Sequence, residues 1–319
     1  MNTGKDTILR GFGPETAVLP GKKTRSFKNL QKRTYQTALF PSIAVLVIVI
    51  LLPALFLIIT SFTPLSLINP ESAWDFSQPF SNFIYLAQDA RFLNSLWVQF
   101  KLSFFTVAIQ LLAGLGVALL LYKRSRFVEA CRTIFLIPMV LPPIVVAIIW
   151  KVLYTPDISP VLWVLRSLHL PAPSVITEPG MALWAIIVAD IWEWFPFTML
   201  MLLAALQMMP DGLLEAARID GANAWQIFLY IILPLLRPAL LVSGLFRLID
   251  SIKAFPLIYI LTQGGPGTVT EVTNFYAFIQ AFNFSYLGYS SAITLVMVVI
   301  TFLLSWMIVK LVGTKVEIE

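Results

Sequence analysis

Charged residues are scarce in this 319-residue chain, at 12% of the total, whereas soluble domains carry about 25%. A single cysteine, Cys131, excludes an intrachain disulfide and a cysteine-based metal cluster. A single histidine, His169, excludes a histidine-rich metal site, and the chain has no G-x-x-x-x-G-K-[ST] phosphate loop. The net charge of +5 comes mostly from residues 1–33, so it belongs to a tail and does not indicate a nucleic-acid surface.

Hydrophobic residues, by contrast, make up 58% of the chain, and its mean hydropathy is +0.84. A helix needs about 20 apolar residues to cross the hydrocarbon core of a membrane. The stretches that satisfy or approach this length predict spans at residues 38–60, 102–122, 133–150, 181–209, 239–261 and 289–309. The predicted fold is therefore all-α, a polytopic membrane protein with six transmembrane helices within residues 37–319. Pro138, Pro142 and Pro143 predict a kink in the third span.

The basic residues predict the orientation, because Lys and Arg collect in cytoplasmic connections. They are frequent before the first span, between the second and third, and after the sixth: Lys5, Arg10, Lys22, Lys23, Arg25, Lys28, Lys32, Arg33, Lys123, Arg124, Arg126, Arg132, Lys310 and Lys315. Both termini are therefore predicted to be cytoplasmic, and residues 1–36 are predicted to form a disordered basic tail. The first span is too long for the apolar core of a signal peptide, which takes about 7–15 residues.

The predicted cytoplasmic segment 210–238 does not have the composition of a plain loop. Pro210 and Asp211 are typical of a helix start, and Gly221 is typical of a helix end. After the glycine, apolar residues recur at helical spacing: Trp225, Phe228, Leu229 and Ile232. The pattern predicts two short helices bent at a glycine, which can either pack on their own bundle or dock into a partner.

A spaced motif in the same segment resembles the EAA signature of ABC-importer permeases. It consists of Glu215-Ala216-Ala217, three residues, Gly221, nine residues, and then Ile231-Ile232-Leu233-Pro234. Further stretches are similar to the sugar branch of that family: Phe195-Pro196-Phe197, residues 261–266 (LTQGGP) and residues 286–292 (YLGYSSA). The resemblance runs from about residue 100 to the C-terminus. It departs from many sugar permeases at Phe255-Pro256, where they have an aspartate after the phenylalanine.

In that family the EAA element is a coupling helix that seats in a groove of a separate ATP-hydrolysing subunit. The resemblance implies this role for Glu215, Ala216, Ala217, Arg218, Asp220, Gly221 and Pro234. It also implies a second homologous permease subunit, two ATPase subunits, an extracytoplasmic solute-binding protein and a place in the bacterial inner membrane. ATP and magnesium would be bound by the partner ATPase, and no cofactor by this chain. The alternative is a surface pair of Glu215 and Arg218 beside an ordinary C-terminal glycine.

Ionisable residues within predicted spans are candidates for function, because burying a charge in lipid is costly. Spacings of three and four place Asp190, Glu193 and Trp194 on one helix face, and Asp250 and Lys253 on another. Carboxylates, a basic group and an indole ring suit a neutral sugar, so these residues form the predicted substrate site. The alternative is that the charges neutralise one another between the fourth and fifth spans, or across an interface with a second permease.

The function predicted from these observations is that of a non-catalytic permease subunit of an ATP-driven importer, with a sugar, disaccharide, polyol or glycosylated osmolyte as solute. Three alternatives stay open. The first is a permease for a non-sugar solute such as glycerol phosphate. The second is a secondary carrier driven by ions through Asp190 and Asp250. The third is a membrane enzyme that uses Asp190 and Glu193 as paired carboxylates.

Overall fold

A computed structural model describes residues 23–122 and 125–310, and these contain helices and loops but no β-strand. The N-terminal residues 1–22, the basic pair Lys123 and Arg124, and Lys315 lie outside the described residues. The helices are α1 (Lys23–Ser61), α2 (Ser81–Gln88), α3 (Ala90–Leu120), α4 (Arg126–Val140), α5 (Pro143–Tyr154), α6 (Pro160–Ser167), α7 (Ala182–Gln207), α8 (Asp211–Ile219), α9 (Ala224–Ile227), α10 (Leu233–Ile252), α11 (Pro256–Leu261), α12 (Thr273–Phe278) and α13 (Leu287–Ile308). Two π-helical turns occupy Phe228–Ile232 and Ile279–Asn283.

Within the described residues, five helices are long and apolar enough to cross a membrane: Leu39–Ser61, Ala90–Leu120, Ala182–Gln207, Ala224–Ile252 and Leu287–Ile308. The helix pair α4 and α5 makes a sixth, broken span. The all-α prediction and the positions of the first, fourth and sixth spans therefore agree with the structure to within about two residues.

The third predicted span is broken, as its prolines predicted. Helices α4 and α5 meet at 96° around Leu141 and Pro142. The cause is that Pro142 has no N–H to donate and keeps Leu141 out of the helical conformation, at φ −72° and ψ 142°. Pro143 then begins α5, where its fixed φ suits the first helical turn.

Helix α1 begins at Lys23, so the prediction of a disordered tail through residue 36 is wrong for residues 23–36. Lys, Arg, Gln and Leu favour helix, and no glycine separates them from the apolar span that follows. Most of α1, up to Phe56, forms a compact unit of its own, and the helices from Leu57 onward belong to a second unit.

The fifth span differs most from its prediction. Its helix starts at Ala224 and ends at Ile252 instead of covering residues 239–261, so much of the predicted cytoplasmic segment 210–238 belongs to it. It ends early because Pro256 cannot continue a helix and restricts Phe255 before it. Asp250 consequently lies in the last turn of α10 and not at mid-depth of a longer helix.

The second unit is built around the pairing of α3 with α7, which is its most extensive helix contact. Gly114 of α3 permits the close approach, since a Cβ there would lie 2.7 Å from Cγ2 of Thr198. One core cluster joins these helices to α5, α11 and α12, and a second joins them to α10. The second span begins twelve residues before its predicted start, where Asp89 caps α3 by accepting from the amide of Arg91. The charge of Arg91 near the beginning of α3 is tolerated because it pairs with the buried Glu271 at 2.7 Å.

Asp89, the residue before α3, ties this end of the bundle together. Its carboxylate accepts hydrogen bonds from the hydroxyls of Tyr276 and Tyr289 and from the backbone amide of Arg91. Burial alone would raise the pKa of Asp89, but these hydrogen bonds hold that pKa below its usual value. The aspartate therefore connects α3 to α12 and α13 as a carboxylate.

Candidate functional site

Helix α8, which carries the EAA pattern, is a separate surface helix closed by a glycine. Asp220 ends it, and Gly221 follows in the left-handed conformation at φ +81°. The amide of Gly221 donates to the carbonyl of Arg218 at 3.1 Å, and the amide of Ala222 donates to that of Ala217 at 2.9 Å. This pair of bonds is the Schellman motif, which satisfies the last carbonyls of a helix. A Cβ on Gly221 would meet nothing within 4 Å, so the chain itself leaves the space beside it open.

The chain re-enters the bundle directly after this bend. Asn223 and Gln226 form a capping box that starts α9, and α9 continues through the π-helical turn Phe228–Ile232 into α10. The predicted apolar stripe is therefore not one buried face: Trp225 is 67% exposed, whereas Ile227 is buried. The extra residue in the π-helical turn shifts the periodicity. Pro234 lies in the first turn of α10 and is half-buried.

The predicted coupling residues of α8 lie almost entirely at the surface. Glu215, Ala216, Arg218, Asp220 and Gly221 are exposed, and Ala217 is half-buried. Glu215 and Arg218 form no ion pair with any residue in the described part of the chain. The alternative of a surface Glu215–Arg218 pair therefore has no contact to support it, although Gly221 does act as a helix stop.

Apolar side chains around α8 are exposed as well. Ile219 is 86% exposed, Met208 84% and Tyr230 77%. Beneath the helix a cavity of about 150 Å³ remains between Leu214 and residues of α3 and α7, including Leu119 and Leu206. Helix α8 is therefore loosely packed against its own bundle, and its surface carries both charged and apolar side chains.

The predicted intramembrane site contains an enclosed charge cluster between α3, α7 and α10. Arg247 is 1% exposed, and its Nη2 lies 3.3 Å from Oδ2 of Asp190, which is 4% exposed. Gln110 joins the two, since its Nε2 donates to Asp190 Oδ2 at 2.9 Å and its Oε1 accepts from Arg247 Nε at 2.8 Å. Each charge is thus paired and hydrogen-bonded, as burial of charge requires.

The remaining predicted residues surround Arg247 at different depths. Its guanidinium carbon lies 4.7 Å from the ring centre of Trp194, and its Nη1 lies 3.4 Å from Oδ2 of Asp250, whose side chain is 44% exposed. Glu193 is 1% exposed, and its Oε1 has no hydrogen-bond partner among the residues that the structure describes. Lys253 follows the end of α10, is exposed, and lines an open groove of about 440 Å³ between α10, α12 and α13. The structure therefore brings Asp190, Glu193, Trp194 and Asp250 together around Arg247, with Lys253 apart from them.

Gln110 is the member of this cluster that sequence reasoning missed. It is neutral and lies within a charge-free stretch of α3, so a search for ionisable residues passes over it. The available signal is a long polar side chain in the middle of a predicted span, where an unpaired amide is costly.

The broken and continuous spans, with the exposed helix α8 between two of them, define a polytopic membrane protein. Residues 110–314 match the family described as "binding-protein-dependent transport system inner membrane component". The match covers more than half of the chain, which belongs to this family and is a multi-pass inner membrane component of such a transport system.

Named relatives agree with this assignment, and a solved structure shares the fold. The chain is 37% identical over 230 residues to the trehalose/maltose transport system permease protein MalF of Thermococcus litoralis, with 72% of this chain and 77% of that protein covered. It is 32% identical over 277 residues to the sulfoquinovosyl glycerol transport system permease protein SmoG of Agrobacterium fabrum, with 87% and 89% covered. A chain of a bacterial alginate ABC transporter, solved in complex with an alginate pentasaccharide-bound periplasmic protein, shares the fold with a TM-score of 0.78 at 21% identity and covers 92% of this chain and 98% of its own.

Proposed function

We propose that this chain is a permease subunit that forms the path for a carbohydrate in an ATP-driven importer, and that α8 docks into a separate ATPase subunit. The observation that carries the proposal is the surface of α8. Glu215 is exposed and has no partner among the described residues, and the space at Gly221, which ends the helix, is open. The relatives named for trehalose and maltose and for sulfoquinovosyl glycerol support a carbohydrate solute.

The driving energy has to come from another subunit. Moving a two-state transporter from 1:99 to 99:1 takes about 5.5 kcal/mol of differential binding, and this chain has no phosphate loop that could bind a nucleotide. Two ATPase subunits on the cytoplasmic side would supply it through α8. A second homologous permease would complete the path, and a solute-binding protein would deliver the solute from the opposite side. The termini are cytoplasmic in this arrangement, and this chain breaks no bond.

The accessible predicted residues, within the charge cluster and outside it, are the ones that contact the solute. Asp250 within the cluster and Lys253 outside it offer accessible polar groups, and Trp194 offers an aromatic face. Asp190 and Glu193 are enclosed, and Asp190 is paired with Arg247. The ion pair between Asp190 and Arg247 also disfavours an ion-driven carrier, because the carboxylate that would bind the ion is already paired.

Uptake into vesicles tests the proposal. The chain is reconstituted alone and together with its partner permease, ATPase and binding protein, and uptake of labelled trehalose, maltose and glycerol 3-phosphate is measured with and without ATP. We expect ATP-dependent uptake of a sugar by the full assembly only. Uptake by the chain alone would overturn the ATPase-coupled function, and uptake of glycerol 3-phosphate without either sugar would overturn the carbohydrate assignment.

A further inference from the structure

A cleft of about 460 Å³ lies at the end of the bundle that contains Asp89, away from the charge cluster. It is formed by the loop after α1, by the start of α2, and by the segment that leads from α12 into α13. None of its described lining residues carries a charge, and most of them are tyrosine, serine or amide residues. Its volume lies within the range of about 300–1,000 Å³ typical of small-molecule sites. We call it the tyrosine cleft.

Aromatic rings form one side of the tyrosine cleft. Tyr85 and Tyr289 meet edge to face, with ring centres 5.1 Å apart, and Tyr286 also lines the cleft. Tyr289 is held in position because its hydroxyl donates to Asp89, whereas Tyr85 and Tyr286 are 62% and 56% exposed. The cleft therefore presents one fixed ring and two accessible ones.

Gln280 provides an unpartnered polar group in the same cleft. The residue is 8% exposed and lies on the π-helical turn Ile279–Asn283, a feature that is frequent at functional sites. Its backbone carbonyl accepts from the amide of Tyr286 at 2.8 Å, but its carboxamide has no hydrogen-bond partner among the described residues. The carboxamide is therefore open to the cleft, where a ligand can both donate to it and accept from it.

The chemistry of the tyrosine cleft matches a neutral sugar ring. A carboxamide both donates and accepts, as adjacent sugar hydroxyls do, and Ser81 adds a hydroxyl. Tyrosine faces can stack against the C–H faces of a sugar ring, and the absence of charge from the lining leaves a phosphate group without a counter-charge. The loops that form the cleft follow the first span and precede the sixth, so the predicted orientation places it outside the cell.

We infer that the tyrosine cleft binds one glycosyl unit of a neutral carbohydrate, as an entry subsite distinct from the residues around Arg247. This inference rests on the proposed function, because it assumes that the transported solute is a carbohydrate. In this subsite Gln280 hydrogen-bonds to the sugar hydroxyls, and Tyr85 and Tyr286 stack against the faces of the sugar ring.

Photolabelling of the full chain in lipid nanodiscs tests this inference. Diazirine derivatives of maltose and trehalose are used as probes, and labelled peptides are identified by mass spectrometry. We expect label in residues 81–88 and 279–289, competed by the unlabelled disaccharides and not by glycerol 3-phosphate. Gln280→Leu should lower this labelling by about tenfold, the loss equivalent to one good hydrogen bond, and Tyr286→Leu should lower it as well.

Gln207→Leu, at the exposed end of α7, is the matched control and should leave labelling unchanged. Because Gln280→Leu removes an amide that has no partner, it should not lower the melting temperature. Absence of label, label confined to peptides containing Trp194 or Asp250, or labelling that Gln280→Leu does not change would overturn the subsite. Sugar uptake by the full assembly separates the two claims: uptake without cleft labelling overturns the subsite alone, and labelling without ATP-dependent sugar uptake overturns the proposed function.

Discussion

The charged residues of α8 and those of the cluster between α3, α7 and α10 have opposite surroundings. In the cluster, Asp190 and Arg247 are enclosed, paired with each other and bridged by Gln110. On α8, Glu215 and Arg218 are exposed and pair with nothing in the described structure, and Ile219 beside them is 86% exposed. The enclosed charges of Asp190 and Arg247 are thus satisfied within the bundle, whereas the charges on the short surface helix α8 have no partner among the described residues.

The largest expected effect is on stability, from breaking the enclosed cluster. Arg247→Met leaves the Asp190 carboxylate buried without its partner, which should lower the free energy of unfolding by about 3–5 kcal/mol. Thermal unfolding of the purified chain in detergent measures this change. The double variant Asp190→Leu/Arg247→Met should recover most of the loss, because a matched apolar pair is often neutral. A single variant as stable as the parent chain would show that the pair is not structural.

Charge reversal on α8 should leave stability almost unchanged and weaken partner binding, unlike the change in the enclosed cluster. Glu215→Lys should leave the unfolding free energy within about 0.5 kcal/mol, since surface substitutions change little. It should weaken association with the ATPase subunit by about 2–5 kcal/mol, the usual cost at a docked charge pair. Co-purification and uptake measure the second effect. Glu129→Lys, an exposed change in α4, is the matched control; equal losses in both variants would argue against a specific role for Glu215.

Two substitutions of Gly221 distinguish the effect of backbone strain from the effect of blocking close approach by a partner. Gly221→Val should lower the unfolding free energy by about 1–2 kcal/mol, because its φ of +81° is unfavourable for a branched residue. Gly221→Asn should lower it less, since asparagine tolerates this conformation. Both variants add a side chain where this chain leaves space, so uptake should fall in both although stability differs. If uptake followed stability alone, Gly221 would be only a helix stop.

The smallest effect is expected at Asp89, a charge that is paired at the edge of the bundle. Asp89→Asn should lower the unfolding free energy at pH 7 by about 1 kcal/mol, through weaker acceptance from Tyr276 and Tyr289. Because the folded pKa of Asp89 is lowered, its stabilisation is complete above the unfolded value of about 3.9 and is lost as the pH falls through the folded value. The difference between Asp89→Asn and the parent chain should therefore shrink below about pH 4, as measured by thermal unfolding in detergent. A difference that did not depend on pH would contradict this assignment.

The apolar spans were largely predictable from the sequence, because crossing a membrane imposes a length and a composition on each helix. Helix ends were less predictable where tertiary contacts decide them. Residues 90–101 carry Arg91 and Lys101, which a charge-free criterion rejects, but Arg91 is paired with Glu271, far away along the chain. The end of α10 lies within a continuous apolar stretch, where Pro256 was the one local signal.

In the candidate site, too, features set by local sequence were predictable, and features set by tertiary contacts were not. The EAA spacing is local, so it identified α8, its glycine stop and its exposed glutamate. The charge cluster depends on three helices meeting, so the sequence predicted Asp190 and Asp250 as candidates but neither Gln110 nor the degree to which each carboxylate is enclosed. Their role in solute binding stays a prediction.

Cross-linking from α8 tests whether this helix docks into an ATPase subunit inside the cell. Cys131 is the sole cysteine of the chain, so a Cys131→Ser background with Ala216→Cys places one thiol on the exposed face of α8. We expect that a maleimide carrying a benzophenone group, attached to this thiol and then irradiated, joins α8 to the ATPase subunit in the assembled transporter. We also expect that a membrane-impermeant maleimide does not label the thiol in intact cells. Labelling from outside the cell, or an assembled and active transporter in which no adduct forms, would contradict this docking.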